Sequence, residues 1–259
     1  MQLHPTWTLA TRKIGRKVCV LDQTDSTNSR AMELAGAPDS DGIAILADHQ
    51  TAGRGQHARR WLAAPRSSVL LSVLIYPRAD LARPALLTAW AAVTVAEVVR
   101  QLTGTPPRIK WPNDVLVRGR KVCGILIEQT RQGAVPATVV GLGLNVTQTL
   151  AEFEQAGLPE ATSLAALGAR DLDSHSVARL VLESLDDDLA QLEDEGPALL
   201  ESRWKWHLGL LGRQVVAECV DGERRGRLLE CAFRGLSLQQ SQGETLLLAP
   251  EMIQHIREA

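Results

Sequence analysis

Arg108-Ile109-Lys110-Trp111-Pro112-Asn113-Asp114-Val115-Leu116-Val117, then Arg118-Gly119-Arg120, then Lys121-Val122-Cys123-Gly124-Ile125-Leu126-Ile127-Glu128, is the stretch that decides the fold. Arg108 to Trp111 and Val115 to Val117 are strand-like, and Arg118-Gly119-Arg120 makes a turn into a further strand, Lys121 to Gln129. The resulting hairpin brings the two ends of the unit together. Only five of the 28 basic residues are lysines, and two of them, Lys110 and Lys121, fall here. A compact ammonium can contact a carboxylate and a phosphate together, which a planar guanidinium does differently. Asp114 is suited to positioning Mg²⁺ or a lysine, although Asn-Asp is also a common turn or strand cap.

Upstream, the alanine-rich stretch from about Ala82 to Leu102 is apolar on nearly every side, which predicts a central helix buried against a sheet, capped by Asp80. Its run Pro84 to Ala96 is too short for a bilayer, which needs roughly 20 apolar residues. Val18 to Leu21, Gly42 to Asp48, Val69 to Tyr76 and Thr138 to Val146 read as strands. Asp25-Ser26-Thr27-Asn28 supplies capping oxygens for a helix through Ala35. Downstream, Val177 to Leu192 and Ala198 to Trp206 have helical spacing, with Asp186 to Asp188 read as a solvated face. This mixture is that of an α+β sheet domain. After Gly212, short strands at Gln214 to Val220, Gly226 to Cys231, Leu236 to Gln240 and Thr245 to Leu248, with a turn at Asp221-Gly222, predict a small all-β barrel. The expected division is 1–210 and 211–259.

The segment His49 to Pro65 lacks apolar periodicity and reads as a long, mobile loop. Within it, Gln50-Thr51-Ala52-Gly53-Arg54-Gly55-Gln56-His57-Ala58-Arg59-Arg60-Trp61 has no Gly-Lys-Ser/Thr and so is not a Walker loop. Gly53 and Gly55 would let backbone N–H groups approach an anion that Arg54, Arg59 and Arg60 neutralise. A solvated basic loop is an equally good reading of the segment alone. His57 receives no role, and Trp61 is placed to wall a ligand pocket. Gly141-Leu142-Gly143-Leu144-Asn145 ends a strand where glycine permits close approach of a flat ring and Asn145 can pair with a base edge.

A net charge of -2, from 28 basic and 30 acidic residues, excludes a global basic field for nucleic acid or an anionic membrane. Met1 to Lys17 has no continuous apolar run, so a cytoplasmic protein is expected. Cys19, Cys123, Cys219 and Cys231 are widely spaced and read as core residues.

Taken together, Ser-Thr-Asn, Gln-Thr-Ala-Gly-Arg-Gly, Lys-Trp-Pro-Asn-Asp, Lys-x-x-Gly-Ile-Leu and Gly-x-Gly-x-Asn, in this order, resemble the biotin protein ligases over about Val18 to Ala259. The resemblance implies a mixed-sheet catalytic domain of the biotin/lipoate ligase type followed by a small barrel of the Src-homology-3 type. It implies ATP, biotin and Mg²⁺ as ligands, and formation of biotinyl-5'-AMP followed by transfer to a lysine of a biotin carboxyl carrier domain of a carboxylase. Ser26, Thr27, Asn28 and Gln50 would hold the biotin ureido end, beneath the loop residues Gly53, Arg54, Gly55 and Gln56. Trp61, Gly124 and Leu126 would line the tail. Lys121 and Arg54 would serve catalysis; Arg54, Arg59 and Arg60 would shield the phosphate. Lys110, Asn113 and Asp114 would serve ATP or Mg²⁺, with Asp114 as the metal residue, and Asn145 would sit near adenine.

Two positions depart from the family pattern. Gln56 stands where arginine is frequent and Ala58 where glycine is frequent, so the adenylate is expected to escape faster. Only about 17 residues precede the first strand, too few for a helix-turn-helix, and no specific DNA binding or membrane contact is expected. A homodimer is left open, with edge-strand pairing as the route to either partner. The rival readings are a lipoate ligase and a noncatalytic biotin-sensing module.

Overall fold

The centre of the fold is a helix, α2 (Pro84–Thr103), in which every side chain from Leu86 to Ala96 is buried. Surrounded on all sides, it can be apolar all round, and 72% of its apolar window is enclosed by protein. Its cap differs from the expectation. Arg83 occupies the N-cap, while Asp80 pairs with Arg78 at 3.0 Å. The structure is a computed structural model describing residues 6–56, 59–130, 136–241 and 243–259; His57 and Ala58, singled out in the sequence, lie outside the described residues.

Seven strands form a mixed sheet: β1 (Val18–Leu21), β2 (Ala44–Ala47), β3 (Ser68–Ile75), β4 (Arg108–Lys110), β5 (Asp114–Val117), β6 (Arg120–Thr130) and β7 (Ala137–Asn145). Their order is β1-β2-β3-β7-β6-β5-β4. Only β1 and β2 pair in parallel, and their crossover carries helix α1 (Thr27–Glu33). The β5–β6 turn is made by Arg118 and Gly119, both at positive φ (52° and 78°), as a tight hairpin requires.

Strand alternation sorts the sheet into two faces. Val69, Leu71 and Val73 of β3, with Leu142 and Leu144 of β7, share the large core with α2, α4 (Ser174–Glu195) and α5 (Ala198–Leu208). Ile45, Leu74 and Val139 point the other way, toward α1. Gly141 and Gly143 fall on that second face with Val139, and their register partners Leu126 and Gly124 of β6 join them. The glycines therefore open the sheet on the α1 side.

Of the acidic run on α4, Asp187 is exposed as a solvated face requires, but Asp186 and Asp188 are not part of such a face. Asp186 is buried and accepts hydrogen bonds from the backbone N–H groups of Arg12 (2.6 Å), Lys13 (2.8 Å) and Ile14 (2.7 Å), tying the N-terminal segment to the helix. Asp188 accepts from the Thr94 hydroxyl and pairs with Arg203. A periodicity reading misses this because the partners come from the other end of the chain.

The C-terminal strands β8 (Gln214–Cys219), β9 (Gly222–Ala232), β10 (Gly235–Gln239), β11 (Thr245–Leu248) and β12 (Ile253–Glu258) form a second, wholly antiparallel sheet. Its order is β11-β10-β9-β8-β12, and the outer strands do not pair, so it is an open sheet rather than the expected closed barrel. Trp111, Trp204 and Phe233 stack in series at 5.5 and 5.1 Å, and Trp111 Nε1 donates to Ile253 O at 3.2 Å, so the two sheets share a core. The four cysteines are buried and free. A short helix, α3 (Leu150–Gln155), was not anticipated, although its capping box of Thr149 and Glu152 is visible in the sequence.

Candidate active site

On the α1 face of the large sheet a cavity of about 140 Å³ gathers residues from five separated stretches, one of them supplying only His255 of β12. Ser26 and Thr27 enter from the start of α1, and Gln50, Arg54, Gly55, Gln56, Arg59, Arg60 and Trp61 from the loop after β2. Asn113, Asp114, Lys121, Gly124 and Leu126 come from the β5–β6 hairpin, and Gly141 and Gly143 form the floor. A wider groove of about 950 Å³ lies alongside, between α2, the Trp111-Pro112 connection and the second sheet, and shares Arg54, Gly55, Gln56, Arg59, Arg60 and Leu126 with the cavity. The arginine loop is thus the wall between two spaces.

The loop is folded on itself. Gly55 N donates to Arg59 O at 2.7 Å, Trp61 N donates to Gly53 O at 3.0 Å, and Arg54 and Arg60 form a bridge. The Gly55 amide is therefore spent internally, and Gly53 is required because a Cβ there would meet Trp61 O at 2.6 Å. Both glycines shape the loop, and the Gly55 N–H is not free for an anion. The flat ring that glycines admit is the protein's own Trp61: a Cβ would lie 2.5 Å from its indole at Gly143 and 3.0 Å at Gly124. Its Nε1 is buried without a partner among the described residues.

At one end of the cavity, Ser26 does not cap α1 through its side chain. Gln50 Oε1 instead accepts from Thr27 N at 2.7 Å and lies 3.1 Å from Thr27 Oγ1. That leaves the Ser26 hydroxyl and the Gln50 Nε2 group without a protein partner among the described residues, ready for a polar ligand. Asn28 is fully engaged: Nδ2 donates to Glu128 Oε2 (2.7 Å) and Oδ1 accepts from Ser72 Oγ (2.5 Å). It supports its neighbours more than it offers contacts.

At the other end, Lys121 Nζ pairs with Asp114 Oδ1 at 2.6 Å and lies 5.6 Å from the Trp61 ring centroid. A bulge in β6 opposite Val115 and Leu116 turns Lys121 inward, and its backbone is pinned to Glu160 O and Thr162 N. Asn113 donates to Ile125 O at 2.7 Å, holding the hairpin against β6. Two expected residues are not brought in. Lys110 is exposed on β4 and lines neither space, and Asn145 is buried, bonded to Thr162 O (2.9 Å) and Ser68 Oγ (3.3 Å). Conversely, Ser72, Glu128 and His255 bear on the site and received no role from the sequence, because a polar residue within a strand shows no partner until the topology is known.

A model of the Biotin/lipoate A/B protein ligase family matches residues 20–145, the span that holds every element of the cavity except His255. A biotin--[acetyl-CoA-carboxylase] ligase of Mycobacterium tuberculosis is 39% identical, over 93% of this chain and 90% of that protein. The chain belongs to the biotin protein ligases. A bifunctional ligase/repressor of Bacillus subtilis is 30% identical over 90% of this chain and 72% of its own length. Among solved structures, the biotin protein ligase of Aquifex aeolicus in complex with biotin and ATP superposes with a TM-score of 0.76, at 26% identity, over 93% of this chain and 99% of that one. Family membership and the shared fold agree with the mixed sheet, and the cavity lies where the family motifs converge.

Proposed function

We propose that this biotin ligase condenses biotin with ATP to biotinyl-5'-AMP and passes the biotinyl group to one lysine of a biotin carboxyl carrier domain, in the cytoplasm. The carrying observation is the polarity of the cavity. Neutral donors and acceptors, Ser26, Thr27 and Gln50, stand at one end, an apolar wall of Trp61 and Leu126 in the middle, and Lys121 with Asp114 at the other. That sequence of surfaces matches a neutral ureido ring, an aliphatic tail and a carboxylate.

In the first step a biotin carboxylate oxygen attacks the α-phosphorus and pyrophosphate leaves. Lys121 steadies the carboxylate and the phosphoryl oxygens, and Arg54, Arg59 and Arg60 neutralise charge that grows in the transition state. In the second, the acceptor amine attacks the biotinyl carbonyl and AMP leaves. Neither step needs a covalent enzyme nucleophile. The wider groove, reached past the same arginines, gives the nucleotide and the acceptor lysine their approach.

No cluster of three or more metal-binding side chains occurs among the described residues. Asp114 has one oxygen committed to Lys121, so its other oxygen could hold Mg²⁺ only alongside the nucleotide's own phosphates, a common mode for this ion. Mg²⁺ there would neutralise the leaving pyrophosphate.

Transfer of labelled biotin to a purified carrier domain, with ATP, magnesium and a lipoate control, tests the reading. Biotin-selective, ATP-dependent labelling is expected. Labelling by lipoate would move the protein to the lipoate branch, and labelling by neither would favour a sensing module. Lys121→Ala is expected to bind biotin and form no adenylate; normal adenylate formation would remove Lys121 from the chemistry.

A further inference from the structure

Six polar side chains form a continuous chain that begins and ends in the loop covering the cavity. The Arg54 guanidinium meets Glu128 end-on, Nη1 to Oε1 and Nη2 to Oε2, both at 2.9 Å. Glu128 Oε2 also accepts from Asn28 Nδ2 at 2.7 Å. Ser72 Oγ lies 2.5 Å from Asn28 Oδ1 and 2.7 Å from Thr27 Oγ1, and Thr27 leads to Gln50 Oε1. A carboxamide oxygen only accepts, so the single Ser72 proton goes to Asn28, which leaves Thr27 as donor toward Ser72 or Gln50.

Gln50 and Arg54 are four residues apart in the loop, yet they are joined through α1, β3 and β6. Glu128 is the only carboxylate in the circuit and the only member fixed to β6. Its position follows from register: Gly124, Leu126 and Glu128 share one face of the strand, so this carboxylate stands at the cavity edge, its side chain 29% exposed. Bidentate, charge-assisted pairing of this kind fixes orientation as well as distance.

We propose that Glu128 is a positioning residue that clasps the 49–65 loop over the biotin subsite through Arg54 and, through Asn28 and Ser72, sets the orientation of Thr27 and Gln50. The subsite's identity rests on the function proposed above; the clasp itself does not. Glu128 touches no reacting atom. Its contribution is to hold one wall and one end of the cavity in register.

The loop carries three arginines, Arg54, Arg59 and Arg60, so trypsin reads its opening without reference to activity. In the ligand-free protein, Glu128→Gln is expected to speed cleavage at Arg59 and Arg60 by about threefold to tenfold, the range of a partly exposed charged pair to a better-buried one. Arg54→Gln should do the same, and the double variant should be no faster than either single one. In steady-state assays Glu128→Gln should raise the biotin KM by a similar factor with kcat within about twofold. Should Glu128→Gln fold poorly, Arg54→Gln carries the cleavage test from the exposed end of the pair. Unchanged cleavage in both variants, or additive effects in the double variant, overturns the clasp. Normal biotin KM beside faster cleavage overturns the positioning role. If the protein proves not to act on biotin at all, the cleavage results still decide the clasp.

Discussion

Replacing Gly143 and, separately, Gly141 by alanine applies one perturbation to one face of one strand at two neighbouring sites. At Gly143 the added methyl would lie 2.5, 2.7 and 2.8 Å from three atoms of the Trp61 indole. Carbon atoms pack at about 3.5–4.0 Å, so the ring must retreat by about 1 Å or more. Trp61 belongs to a loop, and the loop can lift. The expected stability cost is about 1 kcal/mol, or a Tm loss of about 2–4 °C, with biotin affinity falling tenfold or more because the wall of the cavity has moved. At Gly141 the methyl would lie 2.1 Å from Asn28 Oδ1 and 2.8 Å from its Cγ. Asn28 is buried in α1, with both ends of its amide committed. It has nowhere to go, and displacing it strands the Glu128 and Ser72 partners. About 3 kcal/mol or more, a Tm loss of about 6–12 °C, is expected. Thermal unfolding gives the first quantity and calorimetric biotin titration the second. Equal Tm losses, or undiminished biotin binding by Gly143→Ala, would refute the division between a yielding loop and a fixed helix.

Three further outcomes are expected. Gln56 lines both spaces without a charge, and Gln56→Arg should slow biotinyl-adenylate dissociation, measured by chasing preformed labelled adenylate; no slowing would mean that this position does not govern retention. Asp186→Ala should cost about 2–4 kcal/mol in urea unfolding, since three backbone N–H groups lose a buried carboxylate, whereas a loss under 1 kcal/mol would mean that water replaces it freely. Asp48, at the root of the loop, is held below the usual carboxylate range: burial alone would raise it, but hydrogen bonds from Arg66 and His175 outweigh burial. A depressed carboxyl gives stability that is present above its unfolded value of about 3.9 and is lost as pH falls through the folded value. Asp48→Asn should therefore be less stable than the natural protein at pH 7 and lose less on acidification. Parallel stability–pH curves for the two proteins would rule this out.

The strands of the large sheet and helix α2 were legible because local pattern dictates them: short, nearly continuous apolar runs such as Val69 to Tyr76, a long apolar helix, and a tight turn at Arg118-Gly119. Four of the five C-terminal strands were legible too, but β12 (Ile253–Glu258), where apolar and charged residues mix, was not, and neither was closure, since whether β11 meets β12 depends on sheet curvature that short strands do not encode. Residues from separate motifs, Ser26, Thr27, Gln50, Trp61 and Lys121, meet in the cavity, but the motifs do not show that several members are already engaged by the protein. Asn28, Asn113 and Asn145 each spend their amides on protein partners, and Gly53 and Gly55 serve the folding of the loop.

A common cause links these differences. Burying an amide or a carboxylate demands partners, and in a mixed sheet those partners arrive from strands far apart in sequence: Asn28 from Glu128, Asp186 from Arg12 to Ile14, Asn145 from Thr162. A polar residue in a motif therefore carries two demands, one from the ligand and one from the fold, and only topology shows which is met before the ligand arrives. In this cavity the fold's demand is met by the asparagines and by the Arg54–Glu128 pair, while among the described residues Ser26, the Gln50 amide, Arg59 and Arg60 stay available. Biotin's neutral ring needs hydrogen-bonding groups already held in place, because a ligand without charge at that end provides little energy to organise them. The ring of side chains through Glu128 supplies that order in advance, and it leaves the charged end, where ATP brings its own strong field, to Arg59 and Arg60, which lie outside that ring.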